Sequence, residues 1–245
     1  MKLGMVIDLD RCIGCRTCAA ICKNHNSEPE GIWWNRVFTI GSTEHQVAYE
    51  DAAGSYQLDF LPLSCQQCEN PSCVKVCPTG ASYVNGNDVI LVDYERCIGC
   101  RYCISACPYQ VRQFNWADAK PLKEAGEEAY VYGWPLDYRE DGRLVYTQNR
   151  PRGVVEKCTF CAQYIAEGEE PACVRGCPEN ARIFGDLDNP RSDISKYLSG
   201  RSFTRLKEES GTSPKIFYIK SGSKDKPALF DRFNVGNVAG AKEMM

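Results

Sequence analysis

The apolar positions of the chain come in short runs rather than in long helical stripes. Leu3 to Leu9 reads as an apolar strand, and Val89-Ile90-Leu91-Val92 plays the same part further along. Ala81-Ser82-Tyr83-Val84 meets that second run across Asn85-Gly86. Two such runs joined by Asn-Gly predict a tight hairpin whose two turn residues both take positive φ. Ala181-Arg182-Ile183-Phe184 reads as one more strand of this kind, while segments such as Val74-Lys75-Val76 fit short helical turns. Small strands mixed with small helical turns predict an α+β fold.

No run of 18 apolar residues occurs and the mean hydropathy is −0.40, so no membrane span is expected and the chain reads as soluble. Met1-Lys2-Leu3-Gly4 leads directly toward Cys12 without a long apolar segment or a small-residue cleavage site. The expectation is a cytoplasmic site of action, or export by a partner that holds the address. The 245 residues suffice for one large or two small domains. A formal charge of −3 speaks against a nucleic-acid partner, which calls for a basic patch. Two histidines, His25 and His45, leave little material for His-based metal or triad chemistry. No glycine-rich nucleotide loop is present either.

The 16 cysteines change the picture, because none stands alone. They form four quartets: Cys12, Cys15, Cys18, Cys22; Cys65, Cys68, Cys73, Cys77; Cys97, Cys100, Cys103, Cys107; and Cys158, Cys161, Cys173, Cys177. The first and third read C-x2-C-x2-C-x3-C, the second C-x2-C-x4-C-x3-C and the fourth C-x2-C-x11-C-x3-C. Pro78, Pro108 and Pro178 follow the last cysteine of three quartets, and Lys23 takes that place in the first. Asp8-Leu9-Asp10-Arg11-Cys12-Ile13-Gly14-Cys15 returns as Asp93-Tyr94-Glu95-Arg96-Cys97-Ile98-Gly99-Cys100, and Pro71 to Pro78 returns as Pro171 to Pro178. The order of types implies a duplicated two-quartet unit with different insertions.

Three thiolates within seven residues wrap one face of an iron–sulfur cube, and in runs of this spacing the fourth cysteine ligates the neighbouring cluster. Quartets therefore work in pairs. The short link from Cys77 to Cys97 pairs the second quartet with the third, leaving the first to pair with the fourth, although the repeat pattern alone also allows first with second and third with fourth. The linker-based pairing gives four [4Fe–4S] ligand sets: Cys12, Cys15, Cys18 with Cys177; Cys22 with Cys158, Cys161, Cys173; Cys65, Cys68, Cys73 with Cys107; and Cys77 with Cys97, Cys100, Cys103. A framework of eight disulfides fits poorly with two-residue gaps and no export signal. A zinc site is suggested by the fourth quartet taken alone, but not by its kinship to the second. The prolines either shape the turn by which the last thiolate leaves or simply end local helix. Gly14 and Gly99 are expected to let backbone N–H groups approach sulfur or to make a turn, and Ile13 and Ile98 to shield the clusters from water.

On these stretches, together with Glu156-Lys157-Cys158-Thr159-Phe160-Cys161, Phe184-Gly185-Asp186-Leu187 and Pro214 to Tyr218, the chain resembles the four-cluster iron–sulfur (beta) subunits of the dimethyl-sulfoxide-reductase superfamily of molybdopterin oxidoreductases. The resemblance implies two ferredoxin-like modules with inserted loops and four [4Fe–4S] clusters, the cluster of the first quartet's triad lying nearest the catalytic partner. It also implies a large molybdenum or tungsten partner, with the bis-molybdopterin guanine dinucleotide confined to that partner. Any membrane anchor belongs to another subunit. It favours a membrane-associated complex exported beside a twin-arginine partner, hence periplasmic, with the cytoplasm as alternative. The array specifies the class more than the substrate; arsenate, polysulfide, tetrathionate and sulfoxides all lie within it.

The expected organisation is an outer module of residues 1–64 and 150–199 (quartets one and four, with an insert at 23–64) and an inner module of 65–115. An insert at 116–149 and a C-terminal extension at 200–245 complete it, the extension read as a partner-contacting tail. Trp33, Trp34, Trp116 and Trp134 in the inserts serve either as partner contacts or as small satellite cores. The functional reading is a non-catalytic relay of single electrons between a molybdopterin subunit and a quinone-linked membrane subunit, cytochrome or soluble carrier. A free polyferredoxin shuttle and a zinc-stabilised scaffold are the competing readings.

Overall fold

The computed structural model describes residues 1–40, 49–50, 54–117, 137–147 and 150–220. Leu3–Asp8 forms a strand with all six residues buried. It runs antiparallel to Arg182–Asp186, with Met5 opposite Phe184, and parallel to Ile216–Ile219, with Met5 opposite Ile216. A strand covered on both sides reads as a continuous apolar run, which is why Leu3-Gly4-Met5-Val6-Ile7 shows no alternation. The helix Asp193–Leu198, capped by the Ser192 side chain, seats Ile194 among Val6, Phe217 and Ile219.

Short helices pack in pairs beside the cysteine quartets. In the outer half, helix Thr17–His25 packs against Ala172–Arg175, close enough that a Cβ on Gly176 would lie 2.0 Å from Ile21. In the inner half, Ser72–Lys75 packs against Tyr102–Ser105 beside the hairpin Ser82–Val84 and Ile90–Val92. Short helical turns thus stand where the residues between the paired cysteines predict them. The strands Gln113–Phe114 and Val155–Glu156 pair and tie the stretch after quartet three to the approach to quartet four.

Two expectations change. The inner hairpin closes through residues 85–89, not through a two-residue Asn-Gly turn: Val84 pairs with Ile90, Gly86 keeps ordinary φ, and Asp88 takes the left-handed conformation at φ 57°. Asn85 dictates this, because its Oδ1 accepts from the N–H groups of Asn87 and Val89 at 3.0 and 2.8 Å, an Asx turn that outcompetes the tighter loop. The segment set apart from residue 200 onward is not a separate tail over its described part. Ile216–Ile219 is wholly buried in the outer sheet, Thr204 bridges Tyr218, and the Tyr218 hydroxyl donates to Pro62 O at 3.0 Å. Residues 221–245 lie outside the described residues, as do Trp134 and most of the 116–149 insert. Of the insert tryptophans, Trp34 is buried in the core and Trp116 stands 55% exposed.

Candidate metal centre

The loops that lead into quartets one and three are built alike by their aspartates. Asp8 Oδ1 accepts from the N–H of Asp10 at 2.9 Å, and Asp8 O accepts from Cys12 N at 3.2 Å. Asp93 repeats both contacts with Glu95 at 3.0 Å and Cys97 at 3.1 Å. Gly14 and Gly99 follow at φ 68° and 67°, then Arg16 and Arg101 at 62° and 61°, so the chain curls back and brings its first three cysteines to one hollow. The curl needs glycine: a Cβ at Gly99 would lie 2.0 Å from the backbone oxygen of Gly153 at a φ only glycine adopts freely. Gly99→Ala is therefore expected to cost about 2–4 kcal/mol, from backbone strain and an unyielding overlap. At Gly14 the Cβ would meet the half-buried Phe60 ring, which turns aside more easily, so Gly14→Ala is expected to cost less. Anaerobic denaturation midpoints of the two variants check the order.

The cysteines converge in four groups that mix quartets. Cys12, Cys15, Cys18 and Cys177 line a hollow walled by Ile7, Val37 and Pro62. Cys65, Cys68, Cys73 and Cys107 line a second, and Cys77, Cys97, Cys100 and Cys103 a third. Cys22 leaves its own quartet to face Cys158, Cys161 and Cys173; the Asn26 amide reaches both Cys22 Sγ at 3.5 Å and Cys161 Sγ at 3.9 Å. Pro108 and Pro178 line the hollows of the cysteines they follow. All eight cysteines of the Cys22 and Cys65 groups are buried, whereas Cys15 and Cys100 are exposed in the other two. Ile13 and Ile98 line two of these hollows and are themselves exposed, at 57% and 67%.

The electrostatics suit a positively charged filling. Burial, reinforced by neighbouring cysteines, pushes the Cys68 thiol up to about 12. Burial likewise raises Cys22, Cys158 and Cys173. Four crowded thiolates without a cation would be costly, and a core of iron removes that cost. Cys77 is shifted down instead, because donors from Ser82 and Thr79 outweigh its modest burial. Backbone N–H groups also approach sulfur from Val155 to Cys97 at 3.5 Å and from Ala181 to Cys177 at 3.3 Å. Among the described residues no three His, Cys, Asp or Glu side chains converge on a single ion. Four zinc-bound sulfurs would stand only about 3.8 Å apart, so sulfurs spread around a hollow suit a multi-iron cube better. The donor set and the charge fit [4Fe–4S] clusters.

Sequence reasoning missed the buried bases beside the sulfurs. Arg112 Nη2 donates to Cys73 Sγ at 3.1 Å, and Arg182 reaches Cys18 Sγ at 3.5 Å and Cys173 Sγ at 3.7 Å. A signal existed: Cys107-Pro108-x3-Arg112 and Cys177-Pro178-x3-Arg182 share one pattern.

Three family profiles, each described as a 4Fe-4S dicluster domain, match residues 11–81, 56–127 and 96–182. The sequence is 42% identical over 221 residues to a Halobacterium salinarum protein named, provisionally, as an iron-sulfur subunit of dimethyl sulfoxide reductase, covering 88% of this chain and 78% of that one. It is 37% identical to the arsenate respiratory reductase iron-sulfur subunit of Shewanella sp., covering 90% and 97%. It is 36% identical to a polysulfide reductase chain of Wolinella succinogenes, covering 89% and 94%. Among the described residues no helix is long and apolar enough to cross a membrane. With dicluster domains along its length and relatives that are electron-transfer rather than catalytic subunits, the protein belongs to the [4Fe–4S] iron–sulfur (beta) subunits of the molybdopterin oxidoreductase family.

Proposed function

We propose that the chain holds four [4Fe–4S] clusters and relays single electrons between a molybdenum or tungsten pterin subunit and a quinone-linked membrane subunit, cytochrome or soluble carrier. The ligand sets are Cys12, Cys15, Cys18 and Cys177; Cys22, Cys158, Cys161 and Cys173; Cys65, Cys68, Cys73 and Cys107; and Cys77, Cys97, Cys100 and Cys103. Such clusters supply one-electron steps at potentials tuned by burial and hydrogen bonding. The observation that carries the reading is the gradient of exposure. Two groups are wholly buried, and each of the other two brings one cysteine to the surface, Cys15 in the Cys12 group and Cys100 in the Cys97 group. Arg182 touches sulfurs of the first and second groups and Arg112 those of the third and fourth, which supports an order with the buried pair in the middle. Lys157 bonds both the Cys158 backbone and that of Ile90, a wall of the Cys65 group, so the buried groups adjoin. A relay needs this order, because its middle must exclude water and its ends must meet partners.

Anaerobic co-purification tests it. The expected result is one-to-one recovery with a large molybdenum or tungsten protein and about 16 irons with about 16 sulfides per chain. A cluster-bearing chain that remains a lone monomer would favour the free shuttle. Stoichiometric zinc with no inorganic sulfide would favour the scaffold and defeat the relay.

A further inference from the structure

Among the described residues five basic side chains are buried: Arg112, Arg150, Lys157, Arg182 and Lys215. A buried cation is costly unless an anion answers it. Arg150 is answered by Glu156 at 2.8 Å and Lys215 by Asp88 at 2.6 Å. The other three face cysteines. Arg182 spans Cys18 and Cys173, holding one sulfur with each branch of its fork while Asn35 Oδ1 accepts at 3.0 Å. Arg112 lies against Cys73 and Cys103, steadied by Ser82 Oγ at 2.9 Å. Lys157 donates to Cys158 O at 2.8 Å and to Ile90 O, and it interacts electrostatically with Cys65, Cys158 and Cys73.

We propose that Arg182, Lys157 and Arg112 are fixed counter-charges, one at each of the three steps between four successive clusters, and that each raises the potentials of the two clusters it touches. The proposal rests on the ligand sets given above. In those sets Cys18 and Cys173 belong to the first and second clusters, Cys158 and Cys65 to the second and third, and Cys73 and Cys103 to the third and fourth. Reduction adds one negative charge to a cluster, and a cation held nearby favours that form. An electron leaving one cluster reduces the next, with no bond made or broken and no proton moved. A cation shared by both stabilises the electron on either side of the step, so it raises both potentials without blocking transfer between them. Arginine suits the two steps at which one fork reaches two sulfurs. Lysine suits the middle step, where the contacts are backbone oxygens of the two flanking groups.

The pattern is testable without prior assignment of signals to clusters. In anaerobic potentiometric titrations of the complex followed by electron paramagnetic resonance, Arg182→Met is expected to move two of four one-electron steps, and Arg112→Met the other two. Lys157→Met is expected to move one step from each set. Each moved step should show at least a tenfold fall in reduced-to-oxidised ratio at fixed potential, about 59 mV more negative. Arg182→Lys, which keeps charge but loses the fork, should stay within about twofold of the parent. Should Arg182→Met lose iron, the lysine variant decides: parental potentials support a counter-charge and a fall like that of a neutral residue overturns it. Full iron content with no step moved in any neutral variant overturns the proposal and leaves the four-cluster reading intact. Fewer than four steps in the unmutated chain overturns that reading itself.

Discussion

Cys22→Ser is expected to damage the metal site of Cys158, Cys161 and Cys173, more than 130 residues away, and to spare the site of the three cysteines beside it in sequence. The reason is local geometry. Cys22 sits near the end of helix Thr17–His25, on the buried side that packs against Ala172–Arg175, and its charge neighbours are Cys158, Cys161 and Cys173. Cys12 instead interacts with Cys18 and Cys177. The ligand is a thiolate, and a serine hydroxyl replaces it poorly. Between one and about four of about 16 irons should be lost. Changes in the surroundings of metal ligands alone cost about 10–100-fold in activity. Loss of a ligand in one of the two buried groups should therefore lower end-to-end electron transfer by at least as much. Cys177→Ser should strike the Cys12 group in turn. The crossed arrangement fails if Cys22→Ser and Cys12→Ser abolish the same paramagnetic signal.

The cysteine spacing made the iron–sulfur class of this chain legible in the sequence, because a ligand array is a spacing and spacing is written there. The linker from Cys77 to Cys97 was short enough to demand a hairpin, and the strand before Cys12 and the strand after Cys177 are indeed partners in one sheet. What escaped notice depended on side chains whose roles only packing reveals. Asn85 bonds its own loop and lengthens a turn that Asn-Gly would otherwise make tight. Ile216–Ile219 enters the outer sheet beside a strand more than 200 residues earlier, and no local pattern announces a parallel partner at that distance. Arg112 and Arg182 read as ordinary polar residues until the fold carries them among sulfurs. The shared Cys-Pro-x3-Arg pattern was the available clue.

Arg150→Met is expected to destabilise the protein by about 3–5 kcal/mol without touching a single cysteine. The Arg150 and Glu156 side chains are 1% and 0% exposed and pair at 2.8 Å. Arg150 also donates to Thr147 O at 2.8 Å, to Asn26 O and to Ser27 O at 2.5 Å, and its guanidinium lies 5.0 Å from the Trp34 ring centre. Trp34 Nε1 donates to the same carboxylate at 3.1 Å. This knot joins the end of the first helix, the Trp34 loop and the strand that runs into Cys158, so it fixes the frame of the buried second group. Methionine would leave Glu156 as an unanswered buried charge. Burial already pushes the Glu156 carboxyl upward against the pull of Arg150, and losing Arg150 pushes it further. A carboxyl raised in the folded state binds protons that the unfolded chain releases, so its penalty is present above the unfolded value of about 4.3 and fades as pH falls toward it. The deficit of Arg150→Met should accordingly be largest near neutral pH and shrink on acidification. The double variant Arg150→Met/Glu156→Leu, which removes both charges, should recover much of the loss. Anaerobic denaturation followed by the visible absorbance of the clusters reads all three. A single variant that costs less than about 1 kcal/mol, or a deficit that grows as pH falls, would show that the pair does not hold this frame.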